Sequence, residues 1–352
     1  MLQALLAALL FGASAPLSKL LLGEIDPVAL AAYLYLGSGA GLLLFKSIWR
    51  ASSRSAETEA RIDRRDLPWL AGAILTGGVA APIVLLISLR QTPGATASLL
   101  LNFESVATTL IATLVFKEAI DRRAGWAILC ITIASILLSL NLAGEWGLSV
   151  GAIGVLAACA LWGIDNNLTR NISAKDPLAI VTIKGFGAGA FSLALALVLG
   201  RPLPAPEIAL KAMVVGSLGY GLSIMLFVRA MRELGAARTS TLFGTAPLAG
   251  VVLSFALLRE MPSAAFFVAL PIMIAGAALL LSEQHDHGHV HEAIAHDHCH
   301  QYDDEHHVHE HTIFAIDCES RPHSHMHTHH PLDHEHSHMP DIHHRHPHLV
   351  EA

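Results

Sequence analysis

A chain of 352 residues in which 53% are apolar and 14% charged, with a mean hydropathy of +0.52, is not an ordinary soluble domain, since charged residues make up about a quarter of those. The formal charge of −7 conceals two materials: residues 283–352 hold all 23 histidines, 14 of the 29 acids and two basic residues, while residues 1–282 carry 20 basic and 15 acidic groups. The body is therefore +5 and reads as a membrane protein, and the tail is −12 with its histidines neutral.

Apolar runs near the roughly 20 residues that span a bilayer fall at 2–22, 28–49, 67–89, 94–116 and 122–141. A second set falls at 147–169, 177–199, 208–231, 236–258 and 263–282. The pattern predicts an all-α integral membrane protein with ten transmembrane helices. Leu2 to Leu10 followed by Ala13-Ser14-Ala15 imitates a signal peptide, but there is no basic n-region and the segment recurs inside the chain, so it is read as the first helix. Pro27 and Pro177 suit first helical turns, and the charged stretch from Arg50 to Asp66 cannot stay in hydrocarbon. Pro16, Pro82, Pro247 and Pro271 lie inside spans, where each frees a backbone carbonyl and bends its helix.

The chain is duplicated. Phe11-Gly12-Ala13-Ser14-Ala15-Pro16-Leu17-Ser18-Lys19 returns in more polar form as Trp162-Gly163-Ile164-Asp165-Asn166-Asn167-Leu168-Thr169-Arg170. Asp26-Pro27-Val28-Ala29 matches Asp176-Pro177-Leu178-Ala179, and Gly37-Ser38-Gly39-Ala40 matches Gly187-Ala188-Gly189-Ala190, both at an offset of 150. In the fourth helix of each set Ala95 to Ser98 matches Ala237 to Ser240, and Lys117-Glu118 matches Arg259-Glu260, at an offset of 142. Residues 1–141 thus form a first repeat, 145–282 a second, and 283–352 a histidine-rich tail expected to be disordered.

Lysine and arginine accumulate on cytoplasmic loops. Loops on the side of both termini hold 14 of them and the opposite loops five, which places both termini in the cytoplasm. Each copy has an odd number of helices, so the copies run in opposite senses as an inverted repeat.

With these motifs, residues 1–282 resemble the EamA-type transporters of the drug/metabolite transporter superfamily. The resemblance implies two inverted five-helix repeats forming a secondary transporter, and within that family the chain looks most like bacterial members with a histidine-rich C-terminal tail. It further carries Leu-Asn-Phe-Glu at 101–104 and Gly-Ile-Asp-Asn-Asn-Leu-Thr-Arg at 163–170. The resemblance is specific for architecture and weak for substrate.

A charge inside a span needs a cavity or a partner, and three stand out: Glu104, Asp165 and Lys184. At 1.5 Å per residue, Glu104 falls about 15 Å along its helix, near the midplane. Asp165 and Lys184 fall together in the cytoplasmic half, where they either neutralise each other or meet solute with Asn166, Asn167 and Thr169. Glu104 has no cation within a turn and Ala246 as its counterpart, which makes it the candidate proton or cation coupling site. On its helix Ser98, Asn102, Ser105 and Thr109 form one polar stripe. Its counterpart Ser240, Gly244, Pro247 and Val251 is small rather than polar, as close helix packing requires. Ser14, which Asp165 replaces in the second copy, completes the candidate set.

In the tail, His285, His287, His289 and His291 alternate, as do His296, His298 and His300. The same holds for His323, His325, His327 and His329, and for His334, His336 and His338. Alternate side chains of an extended chain share a face, so these tracts suit a borderline divalent metal such as zinc, nickel, cobalt or copper. The competing reading is a pH-responsive tail, because imidazoles titrate near neutrality.

The function expected is secondary transport by alternating access, exporting a small organic metabolite or drug-like solute from a bacterial cytoplasmic membrane, with no cofactor required. Export of a divalent metal cation and a non-transporting metal sensor are the alternatives. A membrane metalloenzyme is not expected, because no His-Glu-x-x-His motif and no histidine at all lies within the spans, and nucleotide binding is not expected because no glycine loop with lysine offers a phosphate cradle. The partners implied are a small-molecule or ion substrate and the lipid bilayer, with no nucleic acid; a homodimer is compatible with the sequence.

Overall fold

A computed structural model of the protein describes residues 1–52, 60–116, 122–141, 147–172, 175–234, 242–259 and 262–281, and in the tail 285–291, 294–300, 323–329 and 332–338. Lys117, Glu118, Ala237 to Ser240 and Glu260, used above to match the copies, lie outside the described residues.

The first copy comprises α1 (Leu2–Leu21), α2 (Pro27–Ser52), α3 (Leu67–Leu89), α4 (Gly94–Val115) and α5 (Arg122–Ser139). The second comprises α6 (Val150–Arg170), α7 (Pro177–Val198), α8 (Pro206–Phe227), α9 (Ala246–Leu258) and α10 (Ala264–Leu281). Seven of these, α1 to α4 and α6 to α8, are long and apolar enough to cross a membrane. The apolar segments Gly125–Ser139, Ala246–Leu258 and Ala264–Leu279 in α5, α9 and α10 are shorter. The α5 to α6 connection carries a small antiparallel ladder, β1 (Leu140–Asn141) with β2 (Gly147–Leu148), so both helices are trimmed relative to the sequence expectation.

The repeat is visible in the packing. α1 lies on α8 and α9 as α6 lies on α3 and α4, and α2 lies on α8 as α7 lies on α3. The pairs α2 with α7, α4 with α9 and α5 with α10 join corresponding helices of the two copies. Small residues set the approach. A Cβ on Gly185 would stand 2.7 Å from the Gly39 nitrogen, and one on Gly189 would stand 2.7 Å from the Leu36 nitrogen. One glycine of each duplicated motif, Gly39 of α2 and Gly189 of α7, therefore lies at the interface between copies, where close backbone contact replaces the hydrophobic effect that lipid removes. In the same way Gly12 abuts Ala246 and Gly250 of α9, and Gly163 abuts Ala107 and Thr108 of α4.

The aspartates matched at an offset of 150 do matching work. Asp26 accepts from the Val28 N–H at 2.9 Å, and Asp176 accepts from the N–H groups of Leu178 at 2.9 Å and Ala179 at 3.2 Å. Each caps the helix that its neighbouring proline starts. Each also meets a base from the sister copy or its flank, Arg201 at 3.9 Å from Asp26 and Lys46 at 3.4 Å from Asp176.

Both third helices contain a π-helical stretch, Ile74–Ala80 in α3 and Ser217–Leu222 in α8. Gly77 and Gly219 occupy them at the same offset of 142 that relates the fourth helices. In α3 the cause is legible. The Ala81 N–H reaches back to the Thr76 carbonyl, and the next residue is Pro82, which has no N–H. The Gly77 carbonyl is thereby released from the helix ladder.

Four pieces of the tail backbone are described, as paired strands. β3 (His285–His291) pairs antiparallel with β6 (Leu332–His338), and β4 (Ile294–His300) with β5 (His323–His329). The histidine alternation that suits an extended chain also suits a ladder.

Candidate functional site

The π stretch of α3 organises the interior. The released Gly77 carbonyl accepts from the Tyr35 hydroxyl of α2 at 2.8 Å and from the Trp162 indole N–H of α6 at 3.0 Å. Three helices are thus tied to one backbone oxygen. Asp165 lies one turn beyond Trp162 and packs against the bare face of Gly77, where a Cβ would collide with its carboxylate. Only glycine leaves room for an acid there. In the other copy Ser14 packs on Gly219 of α8, and its hydroxyl donates to the Phe11 carbonyl at 2.6 Å.

Asp165 and Lys184 form the ion pair that their depths suggested. The Lys184 Nζ donates to the two carboxylate oxygens at 2.7 and 2.8 Å, and the Thr169 hydroxyl adds a third bond to Oδ1 at 2.9 Å. Asp165 is only 6% exposed. Both of its oxygens are engaged inside the protein.

Glu104 is placed differently. Its Oε1 accepts from the Asn166 amide at 2.9 Å, and the same amide donates to the Thr108 hydroxyl at 3.1 Å. Among the described residues no lysine, arginine or histidine forms an ion pair with Glu104. The depth estimate put Glu104 nearer the midplane than Asp165; the bond from Asn166 joins the two levels, so that α4 and α6 share one polar layer. Asn166 is exposed and Glu104 partly so, whereas Asp165 and Asn167 are buried.

Two candidate residues bond to the helix backbone. Asn167 donates to the carbonyls of Thr108 at 3.0 Å and Gly163 at 2.8 Å, so its amide fastens α6 to α4. The Asn102 side chain turns back to the Leu99 carbonyl at 3.0 Å, which its own backbone N–H also reaches at 3.2 Å. That competition breaks α4 at Leu101–Asn102. The break is continued by short-range bonds from Glu104 N–H to Leu101 and from Ser105 N–H to Asn102. It starts a new helical turn with Glu104 in it, and Ser105 is exposed beside it. The candidate tail histidines occupy β3 to β6.

Sequence reasoning overlooked the aromatic wall. Tyr35 stacks on Tyr220 of α8 with ring centroids 5.7 Å apart, and Phe11 meets Tyr220 edge-on at 6.1 Å and Phe243 at 5.3 Å. Phe227 adds a further ring, 4.6 Å from Phe243. A signal was available: Phe11 and Trp162 occupy equivalent positions of the duplicated segment, and the two glycines of the π stretches recur at a fixed offset.

A duplicated set of apolar helices, seven of them long enough to cross a membrane, defines a polytopic membrane protein. The chain belongs to the EamA-like transporter family, whose model matches residues 1–140 and 149–282. It is similar to a protein of Methanothermobacter thermautotrophicus described as an uncharacterized transporter, with 30% identity over 288 residues covering 78% of this chain and 83% of that protein. A solved crystal structure overlays with a TM-score of 0.55 at 20% identity, over 79% of this chain and 94% of that one. This last likeness bears on the fold alone.

Proposed function

We propose that the protein is a secondary active transporter that works by alternating access of the two inverted copies and exports a small organic solute, with both termini in the cytoplasm. The observation that carries this reading is Glu104, a carboxylate with an amide partner and, among the described residues, no ion-pair partner, beside the exposed Asn166. A carboxylate facing hydrocarbon is costly, so this opening belongs to a water-lined path. Tyr35, Trp162 and Tyr220 bring aromatic faces to the same layer. A carboxylate held by an amide, with aromatic walls beside it, suits an organic solute better than a desolvated divalent ion, which asks for several hard or borderline ligands at once. Asp165 and Lys184 act as the fixed, neutral wall against which α3 and α7 hold their places.

In this scheme Glu104 takes up a proton or other cation on one side and releases it on the other, and Asn166 holds the carboxylate in position. The tail is a cytoplasmic metal-binding appendage for a divalent transition metal. The test uses the full chain in proteoliposomes with an imposed pH gradient and a panel of labelled metabolites. Glu104→Gln keeps the Asn166 contact and the volume while removing the charge. It is expected to abolish gradient-driven movement and retain solute exchange. Gradient-driven transport that is unchanged by Glu104→Gln across pH refutes the role given to this residue.

A further inference from the structure

At the end of the bundle where α1 finishes, away from the polar layer, the two clusters of helices meet along one seam. α1 and α9 form one side, and α4 with the turn that joins it to α3 forms the other. A Cβ on Gly94 of α4 would stand 3.4 Å from the Ser254 Cβ of α9. One on Gly250 of α9 would stand 3.0 Å from the Ser98 Cβ of α4 and 2.8 Å from the Gly12 carbonyl oxygen of α1. At the mouth of the seam the Lys19 ammonium of α1 donates to the carbonyl of Thr92, a residue of the α3 to α4 turn that is 2% exposed. The exposed members of the polar layer lie elsewhere, Ser105 at the middle of α4 and Asn166 in the far half of α6.

The seam is shut but its polar groups are not satisfied. Ser98 and Ser254 are each 1% exposed, and among the described residues their hydroxyls have no hydrogen-bond partner. Ser18, next to Lys19 on α1, is in the same condition. A buried hydroxyl without a partner costs free energy that water would return. Against this stand the close helix packing and the bond from Lys19, whose charged donor makes it one of the stronger kind. Parting the seam would hydrate the hydroxyls and lose the bond and the packing. Each arrangement thus holds something the other lacks, as two states must if a bound solute is to shift one into the other.

We propose that this seam is the gate that closes the path on the side where α1 ends, with Lys19 as its latch. α4 and the α3 to α4 turn part from α1 and α9 when that side opens. This rests on the reading of the protein as an alternating-access exporter, whose orientation puts the gate on the outer face.

The test uses the full chain in proteoliposomes with the native cysteines replaced. Gly94→Cys with Ser254→Cys sets two thiols across the seam, at a Cβ separation just under the 3.5–4.5 Å of a disulfide; the Leu258 methyl group beside Gly94 is the far end of a side chain that can turn away. Oxidation should stop transport and reduction should restore it. Ser88→Cys with Gly154→Cys, 3.1 Å apart on the same basis, staples α3 to α6 inside one cluster and should leave transport unchanged. Separately, a lone thiol at Ser98→Cys should react with a membrane-impermeant maleimide about 10-fold faster, or more, when Lys19→Met is added, the factor set by one lost hydrogen bond of a charged donor. An oxidised seam pair that transports like the reduced one, a pair that fails to cross-link, or labelling indifferent to Lys19→Met overturns the gate. Labelling needs no solute, so faster labelling in a preparation that moves no solute counts against the export reading and not against the seam.

Discussion

Replacing Lys184 by methionine keeps most of the side-chain volume and removes the cation, leaving Asp165 with the Thr169 hydroxyl as its remaining partner. The Asp165 side chain is 8% exposed and that of Lys184 17%, so water cannot take over the lost interaction. Breaking a buried pair from one side costs about 3–5 kcal/mol, because a charge is left uncompensated. The surviving bond from Thr169 puts the expected cost near the lower end, about 3 kcal/mol. Neutralising both partners, with Asp165→Asn and Lys184→Met together, leaves no stranded charge and should recover most of that loss, a coupling of about 2–3 kcal/mol in a double-mutant cycle. The assay is reversible unfolding in mixed micelles followed by tryptophan fluorescence, with transport measured on the same preparations. If the pair is only a wall, the double variant also transports. A Lys184→Met protein within about 1 kcal/mol of the parent, or a double variant no more stable than the single, refutes the reasoning.

Gly77→Ala drives a methyl group into the Asp165 carboxylate and should cost roughly 1–3 kcal/mol by overpacking, whereas Gly125→Ala on the exposed face of α5 meets nothing within 4 Å and should be neutral or gain up to about 1 kcal/mol of helix propensity; unfolding of the two variants side by side checks the contrast. Tyr35→Phe leaves the Gly77 carbonyl with its bond from Trp162 and should cost about 0.5–1.5 kcal/mol. Adding Trp162→Phe strands that carbonyl, and the double loss should exceed the sum of the single ones, which a double-mutant cycle reads directly. Asn167→Leu removes the two bonds from α6 to backbone carbonyls of α4 and of its own preceding turn, and should lower stability by about 1–3 kcal/mol, at about 0.5–1.5 kcal/mol for each bond lost. Measured against Asn166→Leu, which should instead lower transport, it separates the fastening amide from the one that opens to the path.

Composition, apolar run length and the doubled motifs by themselves determined that the chain is a membrane protein of two five-helix copies, because the bilayer admits few ways of hiding a backbone. They also singled out Asp165 with Lys184 as charges at similar depth on adjacent spans, and left open whether they pair or meet solute. Only the tertiary structure decided which side of each polar residue faces another helix. Asn166 and Asn167 are neighbours in sequence and point to an open layer and to a packed seam, a difference of about 100° on the helix that depends on where α4 lies. The same holds for Gly77. Its importance comes from a helix bond shifted by Pro82 and from three side chains that arrive from elsewhere, Tyr35, Trp162 and Asp165.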